Sequence, residues 1–255
     1  MRIRCCLMLA LVTAQYAVGA DTRALDTLVP LYEVARVTEP IEIDGKLDEP
    51  AWFAADSVGA FQFPWFKSGE REQSIVKLIW DDRCLYISSL CQDRHITARH
   101  KEHDGAIPSD DCLEIMLSPD AARPAFYFNL EWNVVGGYVD GHRPNGADSP
   151  RVEWNASDVK LAGSYLGTLN DDQDVDRLWQ VEVALPWSNF REHLSHFPPQ
   201  AGDEFSANFN RHGGDTNMQY SQWSPVGTPA PAFHVPLKFG VLKLTDQTVP
   251  FPSEP

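Results

Sequence analysis

The stretch IEIDGKLDEPAW, Ile41–Trp52, does most to decide the fold, because it joins three local signals. Ile41-Glu42-Ile43 alternates apolar and acidic side chains, which predicts a short strand. Asp44-Gly45 predicts a turn, since glycine accepts a positive φ. Asp48-Glu49-Pro50 offers the capping carboxylate and the first-turn proline of a helix start.

Apolar runs of strand length continue along the chain and are separated by Pro, Gly and Asp. We predict strands at Ser74–Trp80, Cys84–Cys91, Cys112–Leu117, Ala125–Trp132, Val159–Tyr165, Leu178–Leu185, Glu204–Arg211 and Phe239–Leu244, and one helical turn at Pro186–Phe190. This spacing favours an all-β, two-sheet β-sandwich over a parallel α/β sheet. Residues 39–245 show no break in composition and predict a single domain, between an N-terminal lead-in at 21–38 and a Pro-rich tail at 246–255.

The first twenty residues have the pattern of a signal peptide. Met1–Arg4 is basic, Cys5–Ala14 is apolar but too short to span a bilayer, and Val18-Gly19-Ala20 supplies the small residues of a cleavage site before Asp21. We therefore expect a secreted or periplasmic protein, with no membrane partner once the signal is removed. The net charge of −15 at pH 7 repels polyanions, so nucleic acid is not expected as a partner.

Three cysteines remain after the predicted cleavage. Cys84, Cys91 and Cys112 lack zinc-finger spacing, and three thiols cannot all pair within one chain. An oxidising compartment favours one disulfide and one buried thiol. We expect Cys91 and Cys112 to be the pair, on the premise that their strands form a hairpin.

Known catalytic and metal motifs are missing from the sequence. There is no G-x-S-x-G, H-E-x-x-H, P-loop or paired-cysteine redox motif, which predicts a protein that is not an enzyme. His95, His100 and His103 have spacing that fits neither a helix face nor a strand face, so we interpret them as a polar loop. The acidic run at 171–176 begins like an EF-hand loop but lacks its Gly and final Glu, which favours a hairpin turn.

Several ordered motifs resemble carbohydrate-binding module family 9, including its stand-alone relatives. They are Ile43–Trp52, Trp80-Asp81-Asp82, Asp110-Asp111 before Leu113-Glu114-Ile115, Trp179–Trp187 and Lys238–Leu242, and together they cover about residues 39–245. The resemblance implies a β-sandwich that binds a poly- or oligosaccharide without catalysing a reaction. It further implies that Trp52 closes one end of the sandwich and is buried with its indole N–H hydrogen-bonded. It also implies structural calcium, for which the candidate ligands are Asp44, Asp81, Asp82, Asp110 and Asp111.

The sugar site of the family is altered in this sequence. Sugar-binding members hold a reducing-end sugar between two tryptophans, and the matching positions here are Pro108 and Phe233; Glu131 stands where those members have a basic residue. We still expect a loop-lined aromatic cleft built from the same loops. Its predicted lining is Phe233, His234, Trp132, Glu131 and Trp65, with Asn133 and Arg211 as hydroxyl partners.

Two other functions stay open at the level of sequence. A haem-binding electron-transfer β-sandwich would need axial ligands such as Met116, Met218 and His234, none of which lies in a distinctive motif. A glycan-active hydrolase accessory protein is the other, because the abundant carboxylates do not single out a catalytic pair.

Overall fold

The computed structural model describes residues 29–146 and 149–249. Eleven strands lie within these ranges: β1 Leu31–Arg36, β2 Ser74–Trp80, β3 Cys84–Gln92, β4 Cys112–Ser118, β5 Tyr127–Asn133, β6 Tyr138–Arg143, β7 Lys160–Leu166, β8 Leu178–Pro186, β9 Glu204–His212, β10 Tyr220–Gln222 and β11 Gly240–Thr248. The helical elements are α1 Pro50–Ala54 and three 3₁₀ segments, Ile107–Ser109, Trp187–His193 and Pro236–Lys238. The eight strands predicted above and the helical turn after β8 are confirmed.

The strands form one mixed sheet that curls into a β-sandwich. Their order is β6-β5-β4-β9-β11-β1-β2-β3-β8-β7, and β10 pairs with β9 outside this path. β1 runs parallel to both β11 and β2, while the other pairs are antiparallel. β1 and β11 therefore join the β6-β5-β4-β9 half of the sheet to the β2-β3-β8-β7 half.

The core fills the space between these two halves. On β4 the inward residues are Leu113, Ile115 and Leu117, and on β8 they include Val181 and Val183; none is more than 2% exposed. These side chains belong to one apolar cluster that spans both halves. Burying each one contributes about 1.5–3 kcal/mol relative to exposure, which is why the sheet closes on itself.

A buried carboxylate on β8 organises the stretch that opens the sequence. Glu182 accepts hydrogen bonds from the backbone N–H of Gly45 at 2.9 Å and of Asp44 at 3.2 Å, and from Trp52 Nε1 at 2.8 Å. Gly45 has φ +84°, and its backbone lies against Gly163 of β7. The predicted turn and the buried, hydrogen-bonded Trp52 are confirmed. Burial of Glu182 raises the pKa of its carboxyl to about 7.

Three local predictions near the N-terminus are wrong. Residues 41–43 form no strand, because their segment crosses the outside of the sheet toward Glu182. The first strand is β1, within the predicted lead-in, where it pairs with β11 and β2, so the sandwich begins at Leu31. The residue before α1 is Glu49, whose side chain makes no capping hydrogen bond, whereas Pro50 does occupy the first turn. The predicted signal peptide lies outside the described residues, as does the tail after Val249.

The premise of the Cys91–Cys112 disulfide is also wrong. β3 pairs with β2 and β8, whereas β4 pairs with β5 and β9, so the two cysteines lie on strands that are not neighbours. Cys84, Cys91 and Cys112 are all buried free thiols. Within the described ranges, no helix is long and apolar enough to cross a bilayer.

Candidate functional site

The outward face of the β6-β5-β4-β9 half carries mostly polar side chains. On β4 and β9 every second residue points away from the core, and these positions carry polar or sulfur-containing side chains. The face comprises Cys112, Glu114 and Met116 of β4, Asn129 and Glu131 of β5, Arg143 of β6, Asn208, Asn210 and His212 of β9, and Gln222 of β10. We call this set the polar face. Several of its side chains are fully buried, so other parts of the chain must cover it.

Two loops form an aromatic cover over the polar face. Phe233 has its ring centroid 5.7 Å from that of Trp65 and 4.9 Å from that of His212. Trp65 Nε1 donates a hydrogen bond to the Thr228 carbonyl at 2.8 Å, which ties the loop around residue 65 to the loop around residue 230. The hydroxyl of Tyr127 and Nδ1 of His234 are 2.8 Å apart. The cover is therefore held by defined contacts.

An open groove runs along the outer edge of this cover. It has a volume of about 450 Å³ and lies between residues 64–68, 218–220 and 229–231. Trp65 and Tyr220 provide its aromatic surface, and Lys67 and Gln219 provide polar groups. Tyr220 also pairs with His212 in the β9–β10 ladder. The groove thus borders the polar face.

Several buried atoms of the polar face have no hydrogen-bond partner among the residues that the structure describes. They are Glu114 Oε1, Asn129 Oδ1, Asn210 Oδ1, Arg143 Nε, and both Oε1 and Nε2 of Gln222. An unsatisfied buried polar group costs about 1–3 kcal/mol, so proteins rarely collect several on one face without a use. These groups can donate to and accept from a bound polar molecule.

Two carboxyl groups face each other at the centre of the polar face. Glu114 of β4 lies directly opposite Glu131 of β5. Asn210 Nδ2 donates to Glu114 Oε2 at 3.0 Å, and Cys112 Sγ lies 3.9 Å from Glu131 Oε2. Burial raises the pKa of both carboxyls, that of Glu131 to about 7, and the charge of Glu131 raises the pKa of Glu114 further. At neutral pH the pair is therefore able to retain a proton.

The structure brings four of the predicted site residues together. Trp65, Phe233 and His234 belong to the aromatic cover, and Glu131 lies on the polar face beneath it. Trp65 is only partly buried, whereas Phe233 is 7% exposed. Burial lowers the pKa of His234 to about 4, so its imidazole is neutral at neutral pH.

The other three predicted residues lie elsewhere. Because side chains alternate along β5, Trp132 points to the core face and is fully buried there. Asn133 is held at the end of β5, where its Nδ2 donates to Asp110 Oδ2 and to the His100 carbonyl. Arg211 points between the two halves of the sandwich, donates to Asp93 at 2.7 Å and packs over the ring of Trp179. These positions contradict exposed roles for Trp132 and Arg211 in a sugar cleft.

The five calcium candidates do not form one site. Asp44 pairs with Lys46, Asp82 pairs with Arg36, and Asp81 accepts two backbone N–H groups in the turn before β3. Asp110 accepts the backbone N–H groups of residues 99 and 100, and Asp111 accepts those of residues 97 and 214. Because internal donors already occupy these oxygens, the carboxylates do not fit a shared calcium ion.

The histidine run and the acidic run are loops, as the sequence predicts. Within the first, His103 Nε2 lies 3.0 Å from Asp140 Oδ1, and the guanidinium of Arg151 reaches Asp104 in the same cluster. Asp176, in the second, accepts the backbone N–H of Ile96 and of Thr168 and so fixes the β7–β8 turn.

The three haem-ligand candidates lie in different surroundings. Met116 is buried beneath Phe233, and His234 lies next to Tyr127. Met218 is 65% exposed at the groove.

Sequence reasoning missed Glu114, Asn129, Asn210 and Gln222. The signal was present in the alternation of β4, Cys112-Leu-Glu-Ile-Met-Leu, and of β9, Ala207-Asn-Phe-Asn-Arg-His, where polar residues recur at every second position. A second aromatic groove, of about 330 Å³, also lies outside the predicted cleft. It is lined by Phe128, Trp154 and His193 beside the 3₁₀ segment that follows β8.

Comparison with known proteins gives consistent results. Two solved structures of a family 9 carbohydrate-binding module from Caldicellulosiruptor kristjanssonii, one in complex with cellotriose and one with glucose, match 88% of this chain and 100% of theirs at 16% identity and a TM-score of 0.59. A candidate carbohydrate-binding protein from Bacteroides uniformis matches 85% of this chain and 99% of its own at 19% identity and a TM-score of 0.71. At such identities the likeness concerns the fold alone.

The curated proteins contain no sequence match to this chain. The family model for carbohydrate-binding family 9 matches residues 52–244, which is well over half of the chain. The motif order, the curled β-sandwich and this match agree, and they confirm the resemblance found in the sequence. The chain therefore belongs to carbohydrate-binding family 9.

Proposed function

We propose that the protein is an exported, non-catalytic module that binds an oligo- or polysaccharide in the groove beside Trp65 and Tyr220. The observation that carries this proposal is the partly exposed Trp65, whose indole N–H is already fixed to Thr228. An immobilised aromatic ring offers a flat apolar face on which the C–H groups of a sugar pack, and little side-chain entropy is lost on binding.

Sugar recognition also requires polar groups that bind hydroxyls, and such groups lie near the ring of Trp65. Hydroxyl groups need both donors and acceptors, and the groove supplies the Lys67 ammonium and the Tyr220 hydroxyl. The adjoining polar face adds amide and carboxyl groups whose hydrogen-bonding capacity is unfilled within the described residues. The solved relatives from Caldicellulosiruptor kristjanssonii hold cellotriose or glucose, which makes β-linked glucans the first ligands to test.

The proposed site differs from the two-tryptophan arrangement that the family resemblance implies. Pro108 is exposed on the 3₁₀ segment before β4, and Phe233 is covered by Trp65, Tyr220 and His212. Trp65 and Tyr220 would therefore serve as the aromatic surface in place of those two positions.

The test is isothermal titration of the purified protein with glucose, cellotriose and a glycan panel, compared with Trp65→Ala and Trp154→Ala. Trp154 is the matched control, because it is a partly buried tryptophan at the second aromatic groove. We expect Trp65→Ala to weaken binding about 30-fold, the effect of losing about 2 kcal/mol at an aromatic hot spot, and Trp154→Ala to bind as the unmodified protein does.

The possible failures are distinguishable. Loss of binding in Trp154→Ala alone would move the sugar site to the second groove and leave the function intact. A folded protein that binds no glycan in the panel would contradict the proposed function itself.

A further inference from the structure

We propose that Cys112, Glu131 and His212 form a binding site for a divalent metal ion of the zinc class. The three residues come from neighbouring strands, β4, β5 and β9, and their donor atoms all lie within 4.8 Å of one another. This site lies on the polar face that borders the groove at Trp65, and the argument for it does not depend on glycan binding.

The donor set suits zinc better than calcium. A thiolate, an imidazole nitrogen and a carboxylate oxygen are the ligands that Zn²⁺ prefers, whereas calcium binds oxygen alone. Zinc–ligand bonds of about 2.0–2.3 Å in tetrahedral geometry place donor atoms roughly 3.3–3.6 Å apart. Cys112 Sγ and Glu131 Oε2 are 3.9 Å apart and no donor pair is more than 4.8 Å apart, so each pair must approach by no more than about 1.5 Å to reach tetrahedral geometry.

The strand register explains why these residues converge. Cys112 lies directly opposite His212 in the β4–β9 ladder. Glu131 is two residues from Asn133, the residue opposite Cys112 on β5, and it points to the same face as Cys112 because side chains alternate along a strand. A rigid sheet thus presents all three donors at neighbouring positions, as a preorganised metal site requires.

A second observation points to a cation at this place. Glu114 is 1% exposed, it lies directly opposite Glu131 on the neighbouring strand, and its Oε1 has no partner among the described residues. Two buried carboxyls that face each other need a proton or a positive charge between them. The imidazole of His212 packs against the ring of Phe233 on the same face, with the ring centroids 4.9 Å apart, and a neutral imidazole nitrogen is a common zinc ligand.

Metal binding would reverse the local electrostatics. Burial and the nearby Glu131 and Glu114 carboxylates raise the pKa of the Cys112 thiol well above its ordinary value. A bound Zn²⁺ would form the Zn–S bond as the thiol proton leaves to solvent, and the +2 charge would compensate the thiolate and the Glu131 carboxylate. Three protein ligands leave a fourth position open to water or another small ligand.

The polar loop at His103 is a weaker candidate for the same chemistry. His103, Asp104 and Asp140 also lie within 4.8 Å of one another. The guanidinium of Arg151 already contacts both Asp104 and the Asp140 carbonyl. The positive charge in that cluster is therefore already supplied by a side chain.

The experiment is a Co²⁺ titration of the metal-stripped full-length protein, followed by competition with Zn²⁺. Cobalt bound to a thiolate shows sulfur-to-metal charge-transfer absorption, which reports the cysteine ligand directly. We expect one Co²⁺ per chain with this absorption, bleached by Zn²⁺. Cys91→Ser, which removes another fully buried thiol, is the matched control and should behave as the unmodified protein does, whereas Cys112→Ser should lose the absorption and at least tenfold in affinity.

Either of two results would overturn the proposal: a folded protein without the charge-transfer absorption, or the same absorption and affinity in Cys112→Ser. Cobalt binding without thiolate absorption would place the metal elsewhere and count as the first. If circular dichroism shows Cys112→Ser to be unfolded, His212→Gln takes its place, and an unchanged cobalt affinity in that variant would equally refute the site.

Discussion

Gly45→Ala is expected to destabilise the fold by about 2–4 kcal/mol, because two separate costs fall on one residue. At φ +84° an alanine incurs about 1–2 kcal/mol of left-handed backbone strain, of which about 0.4–1 is recovered through the stiffer unfolded chain. Its Cβ would also lie 2.9 Å from the backbone carbon of Gly163. Backbone atoms cannot rotate out of the way, so this overpacking adds about 1–3 kcal/mol.

Gly136→Ala separates the two costs. Gly136 has φ +89°, but nothing in the described structure lies within 4 Å of the position its Cβ would take. It should therefore show only the backbone strain, about 1 kcal/mol net. Thermal and urea unfolding measure the difference, and for a protein of this size each 1 kcal/mol lowers the Tm by about 2–4 °C. Equal losses in the two variants would refute the close approach of Gly45 to β7.

Three further outcomes are expected. The pKa of Glu182 in the folded protein is raised to about 7, so its contribution to stability is complete below about pH 4.5 and is lost as the pH rises through 7. The free energy of unfolding of the unmodified protein should therefore vary with pH by up to about 3 kcal/mol more than that of Glu182→Gln. Parallel curves of stability against pH would contradict this prediction. Arg211→Met should cost about 3–5 kcal/mol in urea unfolding, because Asp93 loses its buried partner; a loss below 1 kcal/mol would argue against the buried ion pair. Alkylation and mass spectrometry under denaturing, non-reducing conditions should find Cys91 and Cys112 both modified, whereas a linked peptide pair would contradict the strand order.

The strand predictions succeeded where burial and periodicity agree. β2 was predicted with the bounds that the structure shows, since Ser74–Trp80 is apolar, β-branched and bounded by turn residues. β1 was missed because Leu31–Arg36 has a weak pattern of its own. Its stability comes from parallel pairing with β11, more than 200 residues away, and with β2, more than 40 residues away, and local propensity does not contain this information.

The predicted site residues also differ in whether local sequence was enough to place them. Trp65 was selected as an aromatic residue in a loop and Phe233 as the match to a tryptophan of the family, and the structure places them in one cover. Trp132 and Arg211 were selected for the same kind of chemistry but point into the core, because their parity on β5 and β9 is set by the register of the sheet. A shift of one residue along a strand exchanges the buried and the outward faces, so residue type alone could not distinguish them.

The sequence by itself determined the family, the β-sandwich and the role of Trp52, since these depend on ordered local motifs and on hydrophobic alternation. Only the tertiary structure decided that Glu182 anchors the opening turn and that the aromatic cover borders an open groove. It alone brought Cys112, Glu131 and His212 together on three adjacent strands. The physical reason is that strand pairing joins residues from about 20 to more than 200 positions apart, and a local sequence pattern does not specify which strands become neighbours.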